Sequence, residues 1–234
     1  DADGLAHRRF VVFDTNHDHV GNTPRGERLL ADAGPGDPRH RLAMAAVVLS
    51  PFTPLLFMGE EYGEVAPFPY FVDHGDPDLV EAVRQGRTRE FSGADWDGAV
   101  ADPADPSTFT SAVLDLTLTE REPHRSRLAM CTELLRLRRE HPVLTDPAAD
   151  QQVSSVGDAV IVERSVPGTT ARLVLNFSAE PVPFRTGDPR PGSGHPTFDT
   201  DDSRWGGTGT GTSDGDGDTV APWSARLVLS SDST

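Results

Sequence analysis

The 234-residue sequence predicts a mixed fold in which an α/β part is followed by an all-β part. Two observations support this prediction. Near the start of the chain, two short apolar runs flank a segment with the period of an amphipathic helix, which is typical of a strand, a helix and a second strand. Beyond Pro147 the apolar period changes to two, between turns rich in glycine and proline, and this predicts antiparallel strands.

The first predicted strand runs from Phe10 to Phe13, which are aromatic or β-branched residues that suit a buried strand. It is followed by the polar triplet Asn16, His17 and Asp18. Two explanations are open. The triplet begins a turn with His17 exposed beside it, which is the commoner case for an isolated triplet, or it forms part of a binding or catalytic site.

A core-facing helix is predicted after this loop. Asp37 is placed as its N-cap and Pro38 as its first residue. Its apolar face is formed by Leu42, Ala45, Ala46 and Leu49. Pro51 ends the helix, and "TPLLFMGEEYG" follows as a second apolar strand. A strand, a helix and a strand favour a parallel pair, and both strands end in polar residues at the edge of the sheet where α/β folds bind ligands.

The segment from residue 63 to 123 is rich in Pro, Asp and Gly, and we interpret it as a long loop with short helices, one of them amphipathic between Asp78 and Phe91. The next helix is predicted from His124 to Glu140, and His141 and Pro142 end it. Its apolar stripe consists of Leu128, Cys131, Leu134 and Leu135. The strands of the tail are predicted in "VSSVGDAVIVERSV", "ARLVLNFS" and "VAPWSARLVLS".

Composition restricts the classes of partner and the cellular compartment that we expect for this protein. Acidic residues number 37 against 21 basic ones, which argues against nucleic acid or an anionic membrane as the partner and favours a neutral substrate. The single cysteine, Cys131, cannot form an internal disulfide, so a cytoplasmic location is expected. The longest apolar run, from Leu42 to Met58, is interrupted by prolines and polar residues and should not span a membrane.

A metal site is not expected. The stretch from Asp199 to Asp218 contains alternating carboxylates that suggest calcium. An EF-hand loop that began at Asp214 would need Gly and Glu where this chain has Thr219 and Ala225. A flexible acidic loop is the better interpretation, and no cofactor motif is found elsewhere.

The combination of motifs resembles a known family. "NHDHVGN" at a strand end, a helix, and then "LLFMGEEYGE" are similar to the seventh and eighth strands of the α-amylase family of glycoside hydrolases. Two further runs resemble one branch, the maltooligosyltrehalose trehalohydrolases: "GNTPRGERL" at 21–29 and "PFPYFVDHGDPDLVEAVRQGRTREF" at 67–91. The resemblance implies a (β/α)8 barrel followed by a β-sandwich, and an α-glucan as the substrate.

The resemblance also implies roles for individual residues. Asp18 corresponds to the family's catalytic carboxylate that stabilises the transition state, and His17 to the histidine that hydrogen-bonds the sugar beside the cleaved bond. Hydrogen bonds that tighten as positive charge develops at the anomeric carbon lower the barrier selectively. Further substrate-binding residues are expected at Asn16, Arg25, Glu60, Tyr70, Phe71 and His74.

The resemblance predicts that residues 1–147 are the C-terminal quarter of the barrel, with its last two strands and helices, and that residues 148–234 are the sandwich. The nucleophile and the general acid of the family lie on the fourth and fifth strands, so the missing N-terminal part of the same enzyme would be the chain's partner. The isolated chain should be inactive. Its β tail should close its own core, whereas the first 140 or so residues should have none to join.

The implied reaction is hydrolysis of the α-1,4-glucosidic bond next to the terminal trehalose of maltooligosyltrehalose. Two alternatives stay open at this point. A glycogen branching enzyme shares the strand-end "LLFMG". A non-catalytic carbohydrate-binding module could stack sugars on Trp205 and Trp223, although tryptophans of small sandwiches are more often in the core.

Overall fold

Two short parallel strands and the helix between them begin the described chain. In the computed structural model, residues 5–29, 31–34, 36–92, 100–184, 197–209 and 219–231 are described. Strand β1 (Val11–Val12) pairs in parallel with β2 (Thr53–Pro54), with Val11 opposite Thr53. The predicted parallel pair is confirmed, and both strands are shorter than the apolar runs that predicted them.

The two strands are not buried as expected. Val11 is 54% exposed, and Phe13 and Leu55 are also exposed. The physical reason is that no further strand pairs with β1 or β2 within the described ranges, so the outer edges of this two-stranded ribbon have no neighbouring strand. The prediction of a buried Phe10–Phe13 strand was therefore wrong for this chain.

Helix α1 (His17–Gly21) follows β1, and helix α2 (Pro38–Val48) precedes β2. Asp37 is the N-cap of α2 as predicted, because its side chain accepts a hydrogen bond from the Arg39 backbone N–H at 2.8 Å. The buried face of α2 includes the predicted Leu42 and Ala45. This face points α2 toward the core described below.

The segment between β2 and the next long helix is mostly loop, as predicted. It contains α3 (Pro77–Phe91) and α4 (Pro106–Ser111), and the residues 93–99 between them lie outside the described ranges. Helix α5 (His124–Glu140) has the predicted bounds. Its predicted stripe was partly wrong, since Leu135 is exposed while Leu134 is fully buried, and the helix turns Met130 and Leu137 inward instead.

The tail is an antiparallel sheet with the strand order β3-β4-β5-β9-β7. The strands are β3 (Asp150–Val156), β4 (Ala159–Val166), β5 (Thr169–Asn176), β7 (Phe198–Asp199) and β9 (Ser224–Ser231). A second, two-stranded sheet pairs β6 (Val182–Pro183) with β8 (Thr219–Val220). The all-β prediction for this part is confirmed.

One core joins the helices to the larger sheet. Leu42 and Val48 of α2, and Met130 and Leu134 of α5, share a buried cluster with Leu227 of β9. A smaller cluster, built from Ala159, Ile161, Val174 and Val220, lies between this sheet and the β6–β8 pair. The sheet therefore does not close its main core alone, contrary to the expectation from sequence, because α2 and α5 cover its other face.

Both tryptophans considered as sugar platforms contact this core. Trp205 stacks on Phe198 with 6.0 Å between ring centroids, and Trp223 packs against the same cluster. The carboxylates from Asp214 to Asp218 lie outside the described residues. No helix in the described ranges is both long enough and apolar enough to cross a bilayer.

Candidate functional site

The Asn-His-Asp triplet forms the start of helix α1, directly after β1. Asn16 is the N-cap, and its Oδ1 accepts a hydrogen bond from the His19 backbone N–H at 2.9 Å. His17 and Asp18 occupy the first turn, with His17 Nε2 at 3.2 Å from Asp18 Oδ1. Their side chains are 71% and 70% exposed. The cap fixes the backbone, and both functional groups remain open to a ligand.

Glu60 lies in a separate cleft at the ends of β1 and β2. The cleft has a volume of about 620 Å³, which includes space open to solvent. Its polar lining comes from Asp14, Thr15, Arg28, His40, Glu60, Glu64 and Arg127. The cleft thus gathers carboxylates and arginines that are distant in the sequence.

The surroundings of Glu60 in this cleft favour its protonated form. Its Oε2 accepts the Phe57 backbone N–H at 2.7 Å. Burial, and then the neighbouring Asp14 carboxyl, raise the pKa of Glu60 to about 9. One oxygen of Asp14, Oδ1, is buried without a hydrogen-bond partner. At neutral pH this raised pKa favours the protonated, neutral form of Glu60, whose carboxyl can donate a hydrogen bond as well as accept one.

A network around Glu64 fixes the loop that follows β2. Its Oε2 accepts hydrogen bonds from the Tyr62 hydroxyl and from the Asp115 backbone N–H, both at 2.8 Å. Its Oε1 accepts the backbone N–H groups of Val65 and Ala66. Burial alone would raise the pKa of Glu64, but these hydrogen bonds to the charged form outweigh it and the pKa is lowered. Glu64 is an ionised anchor.

Arg28 ties the loop after β1 to this network. Its Nε–H donates to the Ala66 carbonyl at 2.6 Å, and its Nη1–H donates to the Met58 carbonyl at 2.9 Å. Burial lowers the pKa of Arg28, and Glu64 opposes that shift. In the lining of the cleft, burial and then the nearby Arg41 lower the pKa of Arg127 to about 10.

The aromatic residues predicted to bind substrate lie on the loop after β2. Tyr70 is 41% exposed, and the guanidinium of Arg87 lies over its ring at 4.9 Å from the centroid. Phe71 is half-buried in an edge-to-face series with Phe68 and Phe109. His74 is exposed before α3. Tyr70 is therefore accessible to a ligand, whereas Phe71 is partly enclosed by other rings.

The structure brings only some of the predicted residues together, in a group at α1, and Phe71, His74 and Arg25 do not line the cleft. The α1 group contains Asn16, His17 and Asp18, and Arg87 connects it to Tyr70 by bonding to the end of α1. Glu60 belongs to the cleft instead. Arg25 is exposed in the loop after α1, where its backbone N–H donates to Glu27 Oε2 at 3.2 Å.

Five polar residues of these groups were not found from the sequence: Asp14, Arg28, Glu64, Arg87 and Arg127. Arg28, Glu64 and Arg87 stand inside motifs that the sequence singled out, so their positions were a usable signal. Among the residues that the structure describes, no group of three or more His, Cys, Asp or Glu side chains could hold a metal ion.

Comparison with known proteins relates the chain to one group of enzymes. No family model matches it. It is 49% identical over 137 residues to malto-oligosyltrehalose trehalohydrolase from Arthrobacter ramosus, an alignment that covers 58% of this chain and 24% of that protein. The corresponding protein of Deinococcus radiodurans is 38% identical over 176 residues, with 74% of this chain and 29% of the relative covered.

Solved structures share the fold of this chain. A crystal structure of a candidate alpha amylase from Salmonella typhimurium is 34% identical, with a TM-score of 0.76 over 97% of this chain and 36% of that one. Trehalose-6-phosphate hydrolase from Bacillus licheniformis shares the fold, with a TM-score of 0.58 at 17% identity over 95% of this chain and 43% of that one. The chain spans roughly a quarter of the length of the curated relatives it matches. The predicted resemblance is confirmed.

Proposed function

We propose, from the relationship to the malto-oligosyltrehalose trehalohydrolases, that this chain is part of an enzyme that releases trehalose from maltooligosyltrehalose. The bond hydrolysed would be the α-1,4-glucosidic bond next to the terminal trehalose. The observation that carries the proposal is the 49% identity over 137 residues to an enzyme of that name. The exposed Asp18 and His17 after β1 give this relationship a chemical basis.

In this proposal residues 1–147 supply the last two strands and helices of a (β/α)8 barrel, and residues 148–234 supply a β-sandwich. The parallel β1–β2 pair with α2 between its strands is the unit from which such barrels are built. The five-stranded antiparallel sheet supports the second assignment. A cytoplasmic location fits the single Cys131, which is buried and free.

Asp18 would stabilise the transition state. As the glycosidic bond breaks, positive charge develops at the anomeric carbon, and a fixed carboxylate that contacts the sugar favours that state over the ground state. Its place in the first turn of α1 holds it on a defined backbone. His17, beside it at 3.2 Å, would hydrogen-bond the same sugar ring before and during the reaction.

The other predicted residues would bind the glucan. Asn16 Oδ1 already caps α1, so its amide NH2 is the group that would reach a hydroxyl. Glu60 as a neutral acid can donate to a sugar oxygen. The ring of Tyr70 would stack on a sugar face, while Phe71, Arg25 and His74 would complete the glucan-binding site.

The reaction needs two more carboxyl groups. Retaining hydrolysis uses a nucleophile and a general acid about 5 to 5.5 Å apart. In this proposal, as the family resemblance implies, both would lie on earlier strands of the barrel. The partner in this proposal is therefore the upstream barrel of the same enzyme, and the proposed mechanism requires no metal.

Product analysis tests the proposal. The full-length natural protein that contains this chain is incubated with maltooligosyltrehalose, and the products are separated by chromatography. Release of free trehalose, with a matching shorter maltooligosaccharide, is the expected result. Transfer of glucan chains without trehalose would contradict it and would favour a branching enzyme.

A further inference from the structure

Arg87 connects two parts of the candidate site that are far apart in the sequence. It lies on α3, a surface helix without a fully buried side chain. The side chain of Arg87 itself is only 12% exposed. Long charged side chains on such helices usually extend into water, so the enclosure of Arg87 has to be explained by what it contacts.

The first set of contacts is with the end of α1. Arg87 Nη2–H donates to the Gly21 carbonyl at 2.8 Å, and Nη1–H donates to Asn22 Oδ1 at 3.3 Å. The last carbonyls of a helix have no partner within it, and a cation there is favoured by the helix dipole. Arg87 thus binds the far end of the five-residue helix whose first turn carries His17 and Asp18.

The second set of contacts is with aromatic rings. The guanidinium carbon is 4.9 Å from the ring centroid of Tyr70 and 4.9 Å from that of Phe91. A guanidinium over a ring is attracted by the ring's quadrupole and covers that face of it. The remaining surface of Tyr70, which is 41% exposed, is what a ligand can reach.

We propose that Arg87 is a positioning residue of the proposed glucan-binding site: it holds the ring of Tyr70 at a fixed place relative to α1. The inference rests on the proposed function for the roles of Tyr70 and Asp18. Arginine suits this task because its planar group can stack on a ring while its edge donates several hydrogen bonds. A lysine would keep the charge but would lose the stacking and the forked donation.

The contact itself is tested without any activity. This chain has two tyrosines, Tyr62 and Tyr70, so 3-fluorotyrosine labelling gives two ¹⁹F resonances, which Tyr70→Phe assigns. Arg87→Met should shift the Tyr70 resonance and leave that of the buried Tyr62 unchanged. Arg84→Met is the matched control, because Arg84 lies on the same helix but bonds Asp102 at 2.9 Å. No change in the Tyr70 signal of Arg87→Met would overturn the inference.

The role in binding is tested by kinetics of the full-length natural protein that contains this chain. Arg87→Met should raise KM for maltooligosyltrehalose about tenfold with a smaller change in kcat, since a stacked ring binds ground state and transition state alike. Arg87→Lys should recover little of the loss, and Arg84→Met should not change KM. Equal kinetics of Arg87→Met and wild type would overturn the inference.

A cycle with Tyr70 distinguishes positioning from a general loss of structure. If Arg87 acts through the ring, Arg87→Met should add little to KM in a Tyr70→Ala background, whereas full additivity would contradict that route. If the wild-type protein released no trehalose, the proposed function would fail. The ¹⁹F shift of Tyr70 on titration with maltoheptaose, compared between wild type and Arg87→Met, would still decide whether Arg87 holds Tyr70 for a glucan.

Discussion

At the scale of single residues, Asp18 combines two properties that a transition-state stabiliser needs. It is fixed, because Asn16 caps the helix that carries it, and it is 70% exposed toward solvent. The first turn of a helix also favours a carboxylate, because the backbone N–H groups there point toward it. A structural carboxylate would more often be enclosed by its partners, as Glu64 is in this chain.

Asp18→Asn in the full-length natural protein should lower kcat on the order of 100-fold or more and should change KM less. The amide keeps the shape of the side chain and removes the negative charge that stabilises the developing cation. His17→Ala is the comparison. It should raise KM and lower kcat together, because the hydrogen bond of His17 exists before the transition state as well. Near-normal turnover of Asp18→Asn would remove Asp18 from the site.

Glu60 should make stability depend on pH. Its folded pKa is about 9 against an ordinary value of 4.5, so between these pH values the folded carboxyl keeps a proton that the unfolded chain has lost. The unfolded state then binds fewer protons, and the free energy of unfolding falls as pH rises through this window. This loss of stability is absent below the ordinary pKa of a glutamate and complete above the pKa that Glu60 has in the folded state.

Glu60→Gln should therefore gain stability over wild type at pH 8 and lose that advantage at pH 4. One fully unmatched proton changes the free energy of unfolding by about 1.4 kcal/mol per pH unit, which is the upper bound of the expected slope. Urea unfolding at both pH values measures it. Glu81→Gln on the exposed surface of α3 is the control, and an equal pH slope in Glu60→Gln and wild type would contradict the assignment.

The sequence located Asn16, His17 and Asp18 because they follow a recognisable strand. The sequence could not show that the side-chain oxygen of Asn16 caps a helix, because capping depends on the conformation of the backbone that follows. Asp14 was missed because its significance arises only from Glu60, which approaches it across the β1–β2 pair. Contacts of this kind between distant residues are fixed by topology and leave little local signal.

At the scale of elements, the loops after β1 and β2 are held against each other at Gly26. Its carbonyl accepts the Phe68 backbone N–H at 2.7 Å, and its φ of +71° lies in the region that glycine tolerates best. A Cβ at this position would stand 2.0 Å from the Pro69 nitrogen. The close approach places Tyr70, one residue further on, beside the loop that carries Arg25.

Gly26→Ala should displace the Tyr70 loop and cost on the order of 1 to 3 kcal/mol from backbone strain alone. We expect a lower thermal midpoint and a raised KM in the full-length natural protein. Gly36→Ala is the matched control, because a Cβ there has no atom within 4 Å. A Gly26→Ala variant as stable and active as the control would show that the two loops move freely.

The helices α2, α3 and α5 were predictable because proline, capping residues and apolar period mark them locally. The burial of β1 and β2 was not predictable. An apolar run indicates that a strand tends to be buried, but the residues that bury it come from other parts of the molecule. The error in the stripe of α5 has a similar origin. Leu134 and Leu135 are both apolar, and only the position of the sheet decides which of them turns inward.

At the scale of the whole molecule, the helical part and the tail share one core. Side chains of α2 and α5 meet β5, β7 and β9 in a single buried cluster. Arg41 of α2 extends this connection, because its Nε–H donates to the Thr200 carbonyl at 2.9 Å. The sequence predicted two parts with different periods and could not reveal that the apolar faces of both are turned toward each other.

This shared core predicts that a cavity made in α5 will weaken the β tail. Leu134 is fully buried among α2, α5 and sheet residues, so Leu134→Ala should cost about 2 to 5 kcal/mol. Leu135→Ala removes the same atoms from a side chain that is 42% exposed, and it should change stability by less than about 0.5 kcal/mol. Urea unfolding followed by tryptophan fluorescence in a Trp96→Phe background reports on the tail, because the two remaining tryptophans, Trp205 and Trp223, both pack there. If the fluorescence transition of Leu134→Ala coincided with that of Leu135→Ala, the tail would unfold independently of α5, and the single core would have to be divided into two.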